Sequence, residues 1–361
     1  MRMINVTRSM MPSINDYMKK LEKLWETRWL TNNGSYLQEL EQRLSERFDV
    51  PCVVVSNGTL ALLIALELFG FPKGSEIIVT PFTFTATVDA IVWQGYKPIF
   101  ADIDAETFNI SPQEIEKHVS NNTVAVMPVH VFGNPCEVEK IDEIAMRHDL
   151  KVIYDAAHCF DIFYKGRSIY KYGDVSVASF HATKVFHTVE GGAIFSDNPE
   201  LIEKARKLRN FGFSTNMDIV EVGINAKMNE FQAAMGLLNL EIVDQEIEKR
   251  KKVFERYVEL LDGSKIAFQK LNFHLTKYNY IYMPVLFEDE KTRDKAFEEL
   301  KANGYNTRKY FYPSLNKVFA NVSCPVSEDI SSRILHLPLY GDLEDEHVEK
   351  ICEIVNKIVK N

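Results

Sequence analysis

Long apolar runs, paired cysteines, a basic face and the common glycine signatures are all missing from these 361 residues, and each absence removes a class of protein. The longest apolar stretch, residues 53–71, is interrupted by Ser56-Asn57-Gly58-Thr59 and carries Glu67, so no membrane span is predicted. The N-terminus lacks a basic stretch followed by an apolar core, so no signal peptide is expected. The five cysteines, Cys52, Cys136, Cys159, Cys324 and Cys352, are scattered and form no CxxC pair. That usage fits a reduced compartment and predicts neither a disulfide framework nor a metal site. Forty-two basic residues against 51 acidic ones leave a net charge of −9 with no dense Lys/Arg cluster, which argues against a nucleic-acid partner. No GxGxxG, GxxxxGK[ST] or GxSxG occurs, so a dinucleotide fingerprint, a P-loop and a nucleophile elbow are unsupported. With 46% hydrophobic and 26% charged residues the chain has enough apolar material for a full core. The expectation is a soluble, cytoplasmic protein of enzyme-like size.

Short β-branched runs alternate with helical patterns along the first part of the chain. Strands are predicted at 53–55, 76–79, 98–100, 124–131 and 151–154, with helices at 60–68, 86–93 and 138–146 between them. This alternation predicts an α/β domain with a largely parallel sheet. Two further strands, 175–180 and 193–195, precede a long helical pattern starting near Asn229, and the texture changes after Ile266. The boundary is placed inside the long helix. Residues 1–245 form a large domain with the N-terminal segment, and residues 246–361 a smaller C-terminal one.

In an open α/β sheet the ligand site lies beyond the carboxyl ends of the strands. Ser56-Asn57-Gly58-Thr59 follows the first strand and opens a helix, which suits an anion, although the same run is also an ordinary turn and cap. Phe84 lies in Pro81-Phe82-Thr83-Phe84 after the second strand, as a stacking face or as core. Asp155 follows strand 151–154, and a carboxylate there needs a partner. His158 comes three residues later and reads by default as a structural histidine. Ser179-Phe180-His181-Ala182-Thr183-Lys184 places a lysine just past a strand, either at the surface or as a Schiff-base lysine. A phosphate cradle, an aromatic, an Asp and a Lys are together what pyridoxal 5′-phosphate needs.

These residues resemble the DegT/StrS-type sugar aminotransferases, collinearly over nearly the whole chain. Trp29-Leu30-Thr31 with Gly34, the Gly58-Thr59 loop, Pro81 to Thr87, Pro128-Val129-His130 with Gly133 and Asp155-Ala156-Ala157-His158 all match the family's segments in order. So do Ser179 to Lys184, Glu190-Gly191-Gly192, Gly223-Ile224-Asn225-Ala226-Lys227-Met228 and Leu337-Pro338-Leu339. The resemblance implies a fold-type I PLP-dependent aminotransferase, with a mixed, mainly parallel sheet in a large domain and a smaller C-terminal α+β domain. It implies Lys184 as covalent anchor and proton carrier, Asp155 at the pyridinium nitrogen and Phe84 on the ring. Gly58, Thr59 and Ser179 would hold the phosphate, and Asn225 would reach the neighbouring subunit's phosphate in a homodimer with shared active sites. His158 departs from the family's usual Gln, and either side chain can donate to the ring oxygen.

The implied reaction transfers an amino group from L-glutamate to a nucleotide-linked keto sugar. The run Ala182 to Thr188, with Glu190-Gly191-Gly192, most resembles enzymes making dTDP-4-amino-4,6-dideoxyglucose from dTDP-4-keto-6-deoxyglucose. His187, Glu190, Arg308 and Tyr310 are the candidate substrate contacts. A 3-keto substrate, a galacto-configured product, a dehydratase of the same fold and a non-catalytic sugar-binding protein stay open as alternatives.

Overall fold

The computed structural model describes residues 3–360. Two amphipathic helices, α1 (Ile14–Thr27) and α2 (Ser35–Phe48), precede strand β1 (Cys52–Val55). Then β–α units follow: α3 (Gly58–Glu67), β2 (Glu76–Val79), α4 (Thr85–Trp93), β3 (Lys97–Phe100), α5 (Pro112–His118), β4 (Thr123–Met127), α6 (Val138–His148) and β5 (Lys151–Asp155). A small hairpin, β6 (Phe163–Tyr164) with β7 (Arg167–Ser168), leads to β8 (Val175–Ser179), β9 (Gly192–Phe195) and α7 (Pro199–Arg209). The 31-residue α8 (Glu230–Leu260) comes next. Its Asn229 cap accepts the Gln232 N–H and Gln232 reaches back to the cap, so both ends of a capping box are made. The chain finishes with β10 (Leu275–Lys277), β11 (Met283–Leu286), α9 (Glu290–Ala302), α10 (Leu315–Phe319), α11 (Pro325–Arg333), β12 (Ile334–Leu337) and α12 (Asp345–Lys360).

The central sheet has seven strands in the order β1-β9-β8-β5-β4-β2-β3. All neighbours pair in parallel except β9, which runs antiparallel between β1 and β8. The α/β, mainly parallel expectation therefore holds. The strands are apolar on both faces because helices cover both. One consequence matters for function. The carboxyl ends of β1, β2, β4, β5 and β8 share one edge, and β9 enters at that edge through Gly192, opposite Val55 and Ser179. A Cβ on Gly192 would lie 2.9 Å from both the Ala178 carbonyl oxygen and the Asn57 carbonyl. Gly192 is thus explained by close backbone packing at the strand ends, and Gly191 by side chains, since a Cβ there would lie 2.6 Å from Met228 Cε.

β1 is an edge strand, and its free backbone groups are covered. The Val54 N–H donates to Glu41 Oε1 (2.9 Å), Arg209 donates to the Val54 carbonyl (2.6 Å), and Glu41 and Arg209 pair with each other. The predicted division at 245/246 falls inside α8. The first half of this helix buries Ala233, Leu237 and Leu240 in the core around the large sheet, and the second half buries Val253 and Tyr257 in a separate C-terminal core. Two segments cross that division. Near the N-terminus Ile4 bridges Tyr305, and the Leu339 N–H donates to the Val6 carbonyl, so these first residues lie with the C-terminal core rather than the large domain. Conversely, β10 pairs with β6 on the large-domain side.

Candidate active site

A cavity of about 730 Å³ opens at the carboxyl edge of the sheet. Its floor comes from strand ends, and its roof is the aromatic trio Tyr282, Tyr310 and Phe311 from the C-terminal part.

At one end lies the start of α3. Asn57 caps it, its side chain accepting the Leu60 N–H at 2.9 Å, while the N–H groups of Gly58 and Thr59 have no intrahelical acceptor. A Cβ on Gly58 would sit 3.0 Å from Ser179 Cβ and 3.2 Å from its Oγ. The glycine thus brings a helix N-terminus against the end of β8, with Gly58, Thr59 and Ser179 all lining this end of the cavity. Such a helix start with two hydroxyl-bearing residues beside it could hold a phosphate. Phe84, just before α4, lines the cavity and is 56% exposed, so it is not core and could stack on a flat ring.

Asp155, at the end of β5, is only 5% exposed. Its Oδ2 accepts from Thr87 Oγ1 at 2.7 Å and its Oδ1 from the Ala157 N–H at 3.1 Å. Burial pushes its pKa up, and these two bonds with the Lys184 charge pull it partly back. A cationic ring nitrogen facing this carboxylate would complete its pairing. Lys184 lies in the turn after β8, its N–H donating to the His181 carbonyl at 2.8 Å. Burial lowers its pKa to about 8, against the opposing pull of Asp155. Among the described residues its amine has no hydrogen-bond partner, so it is free to bind a carbonyl carbon. A phosphate cradle, a stacking face, a buried carboxylate and an unpartnered amine form a donor set that fits pyridoxal 5′-phosphate.

His158 also lines the cavity, and its Nδ1 accepts the Phe132 N–H at 3.2 Å. Glu190 and His181 stand at the rim, 3.5 Å apart. Tyr310 faces Lys184: burial raises the pKa of its hydroxyl, and Arg308 and Lys184 pull it back.

Three further candidate residues do not line this cavity. His187 is 1% exposed and absent from the lining. Its Nε2 donates to the Met10 carbonyl at 2.7 Å and its Nδ1 accepts the Val189 N–H at 3.2 Å. The candidate role of His187 as a substrate contact is therefore corrected to a structural tie, because both its nitrogens are used beneath the site. Arg308 is exposed and outside the lining, where its guanidinium donates to Asn306 Oδ1 at 3.1 Å and also interacts with the Tyr310 hydroxyl of the roof. Asn225 is exposed, bridged to Asn210, and touches no part of its own chain's cavity. Thr87 and Tyr282 also line the cavity, and the sequence reading gives neither of them a role. Thr87 had a signal, since it lies three residues after Phe84 and so on the same side of α4. Tyr282 had none, because only the docking of the C-terminal part turns it inward.

A family model described as the DegT/DnrJ/EryC1/StrS aminotransferase family matches residues 13–356. The chain is 38% identical over 367 residues to the dTDP-4-amino-4,6-dideoxy-D-glucose transaminase of Escherichia coli, covering 98% of each. The crystal structure of DesI in the presence of its TDP-sugar product superposes with a TM-score of 0.94 at 31% identity, covering 100% of this chain and 94% of that one. That of NtdA from Bacillus subtilis with bound cofactor PMP superposes with a TM-score of 0.84 at 28% identity, covering 96% of this chain and 82% of that one.

Proposed function

The chain belongs to the DegT/DnrJ/EryC1/StrS aminotransferase family, and from that premise we propose that it transfers an amino group from L-glutamate to dTDP-4-keto-6-deoxy-D-glucose, giving dTDP-4-amino-4,6-dideoxy-D-glucose. The observation that carries the chemistry is the opposition of Asp155 and Lys184 across one cavity, with the helix N-terminus at Gly58 closing its end. Pyridoxal 5′-phosphate, when bound, would supply the electron sink for removing a proton next to nitrogen.

The residues of this chain divide the remaining work. Gly58 and Thr59 N–H groups with the Thr59 and Ser179 hydroxyls hold the phosphate. Phe84 covers one ring face. Asp155, kept in place by Thr87 and Ala157, holds a proton on the ring nitrogen by charge pairing. Lys184 Nζ is the anchor and then the base and acid that moves the proton at the reacting carbon. Its amine titrates at about 8, so a useful fraction is neutral near neutral pH. His158 would donate to the ring oxygen. Glu190 and Tyr310 contact the sugar at the rim and roof. We keep 1–245 and 246–361 as the working domains, with the cofactor on the first and the roof on the second.

A homodimer with shared sites is part of this reading. Asn225 is exposed at the base of a segment carrying Phe211, Ile219, Val220 and Val222, all at least 46% exposed, a surface suited to a second copy. No helix among the described residues is long and apolar enough to cross a membrane, and a cytoplasmic site of action belongs to the same proposal.

The test is a coupled assay of the purified enzyme with L-glutamate and a panel of 3-keto and 4-keto nucleotide sugars, the product configuration being read by NMR. Preference for a 3-keto sugar, or a galacto-configured product, overturns the substrate assignment. A protein that acquires no visible absorbance with pyridoxal 5′-phosphate overturns the cofactor assignment.

A further inference from the structure

His158 lines the cavity, and an imidazole, unlike an amide, has two tautomers and a titratable charge. The surroundings of His158 decide between these states. Its Nδ1 accepts the Phe132 backbone N–H at 3.2 Å, so that nitrogen carries no proton. Phe132 adopts φ 57° and ψ 26°, a conformation that bulky L residues rarely take. The neighbouring chain holds it there. The Tyr278 hydroxyl donates to the Phe132 carbonyl at 3.0 Å, and the Val131 N–H donates to Asn109 Oδ1 at 2.9 Å. The His158 backbone is pinned from the same direction, its carbonyl accepting from Asn279 Nδ2 at 2.8 Å. Three rings then fix the plane of the imidazole. Phe132 and Phe311 lie nearly parallel to it, at 26° and 5°, and Tyr282 meets it edge-on at 5.2 Å.

We infer that His158 is locked by the Phe132 amide as an Nε2–H donor into the cofactor cavity, and that Tyr278 and Asn279, reaching across from the chain between β10 and β11, are the positioning residues that hold this lock. The inference rests on the cofactor reading above and deepens it, since a donor of fixed direction opposite the ring oxygen favours the deprotonated oxygen. Charge does not undo the lock. The ionisable groups facing the imidazole are Lys184 in the turn after β8, His336 on β12 and Tyr282 before β11. Burial first, then the Lys184 charge, holds the His158 pKa well below the usual histidine range. His336 is itself buried and brought down to about 3. His158 thus stays neutral where an exposed histidine would titrate.

The test uses the full chain labelled with ¹⁵N-histidine, first without cofactor. The His158 signal, assigned by its loss in His158→Gln, should show a protonated Nε2 and a bare Nδ1, unchanged from about pH 6 to about pH 8. An Nδ1–H form, or a titration inside that window, overturns the inference whatever the cofactor does. Pyridoxal 5′-phosphate affinity, read by fluorescence titration, supplies the second arm. His158→Leu should weaken binding about tenfold, and the amide donor of His158→Gln should restore most of it. Tyr278→Phe should weaken binding about threefold in the otherwise native protein and have no further effect in the His158→Leu background. Equal effects of Tyr278→Phe in both backgrounds overturn the positioning role. A native protein that shows the Nε2–H signal yet takes up no pyridoxal 5′-phosphate overturns the cofactor reading and the donor's role with it, while the lock itself stands.

Discussion

The floor and the roof of the cavity are built by different rules. The floor is made of strand ends. Asp155 and Ser179 are the last residues of β5 and β8, and Gly58 and Thr59 open the helix two residues after β1. Their positions follow from ladder register, and their polar atoms are satisfied or aimed at the ligand. The roof is made of rings carried outside any ladder. Tyr282 precedes β11, and Tyr310 and Phe311 lie between α9 and α10. These side chains are placed by packing against Phe132, His158 and His336. The charged chemistry therefore sits on the rigid wall, and the shape-selective surface on the wall that docks.

If that division is right, damage to the floor should fall on turnover and damage to the roof on substrate affinity. Lys184→Ala should lower kcat by about 10⁴-fold, because anchor and proton carrier go together. Steady-state assay checks this, and a rate within tenfold of the native enzyme would remove Lys184 from its role. Asp155→Asn should lower the single-turnover rate by about 10²-fold while leaving the fold intact, since an amide still accepts from Thr87.

The Lys184 amine gives the floor a pH signature. Its pKa is about 8 in the fold and about 10.4 in an unfolded chain. The neutral amine is the form that captures an aldehyde, so uptake of pyridoxal 5′-phosphate by cofactor-free protein should rise about tenfold between pH 7 and pH 9, with a midpoint near 8. The unfolded chain binds the proton more tightly than the fold. The contribution of this lysine to stability is therefore lowest below pH 8 and rises as pH climbs from about 8 to about 10.4. Stopped-flow absorbance and pH-dependent thermal melts read the two effects. Lys184→Arg should abolish both.

On the roof, Tyr282→Leu should raise the KM for the nucleotide sugar by about threefold to tenfold and change kcat by less than about twofold. The opposite split would show that the roof takes part in the chemistry. The smallest kinetic effect is expected at His187. His187→Asn removes the bond to the Met10 carbonyl and should cost about 1–2 kcal/mol of stability, with KM unchanged. A KM effect there would restore His187 as a substrate contact.

This contrast also explains what could be read in advance. Residues of the floor were legible because each follows a recognisable strand, and parallel strands separated by helices bring their carboxyl ends to one edge. His187 misled for the same reason. It lies three residues past Lys184 in the same run, but the chain turns beneath the site, where His187 Nδ1 takes the Val189 N–H and its Nε2 the Met10 carbonyl. Tyr282 was invisible because an aromatic beside an apolar strand looks like core until the facing part of the chain is in place. The interleaving of the two parts was hidden too. A contact such as Ile4 with Tyr305 joins opposite ends of the chain, and local pattern carries no trace of it.

Local order alone determined the β–α alternation, the cap at Asn57 and the placing of Asp155 and Lys184 after strands, because each depends on neighbours within a few residues. Only the tertiary structure decided that Lys184 is desolvated, that His187 is a tie and that His158 has one tautomer. Desolvation and hydrogen-bond direction depend on what packs from distant parts of the chain, and no spacing along the sequence records that.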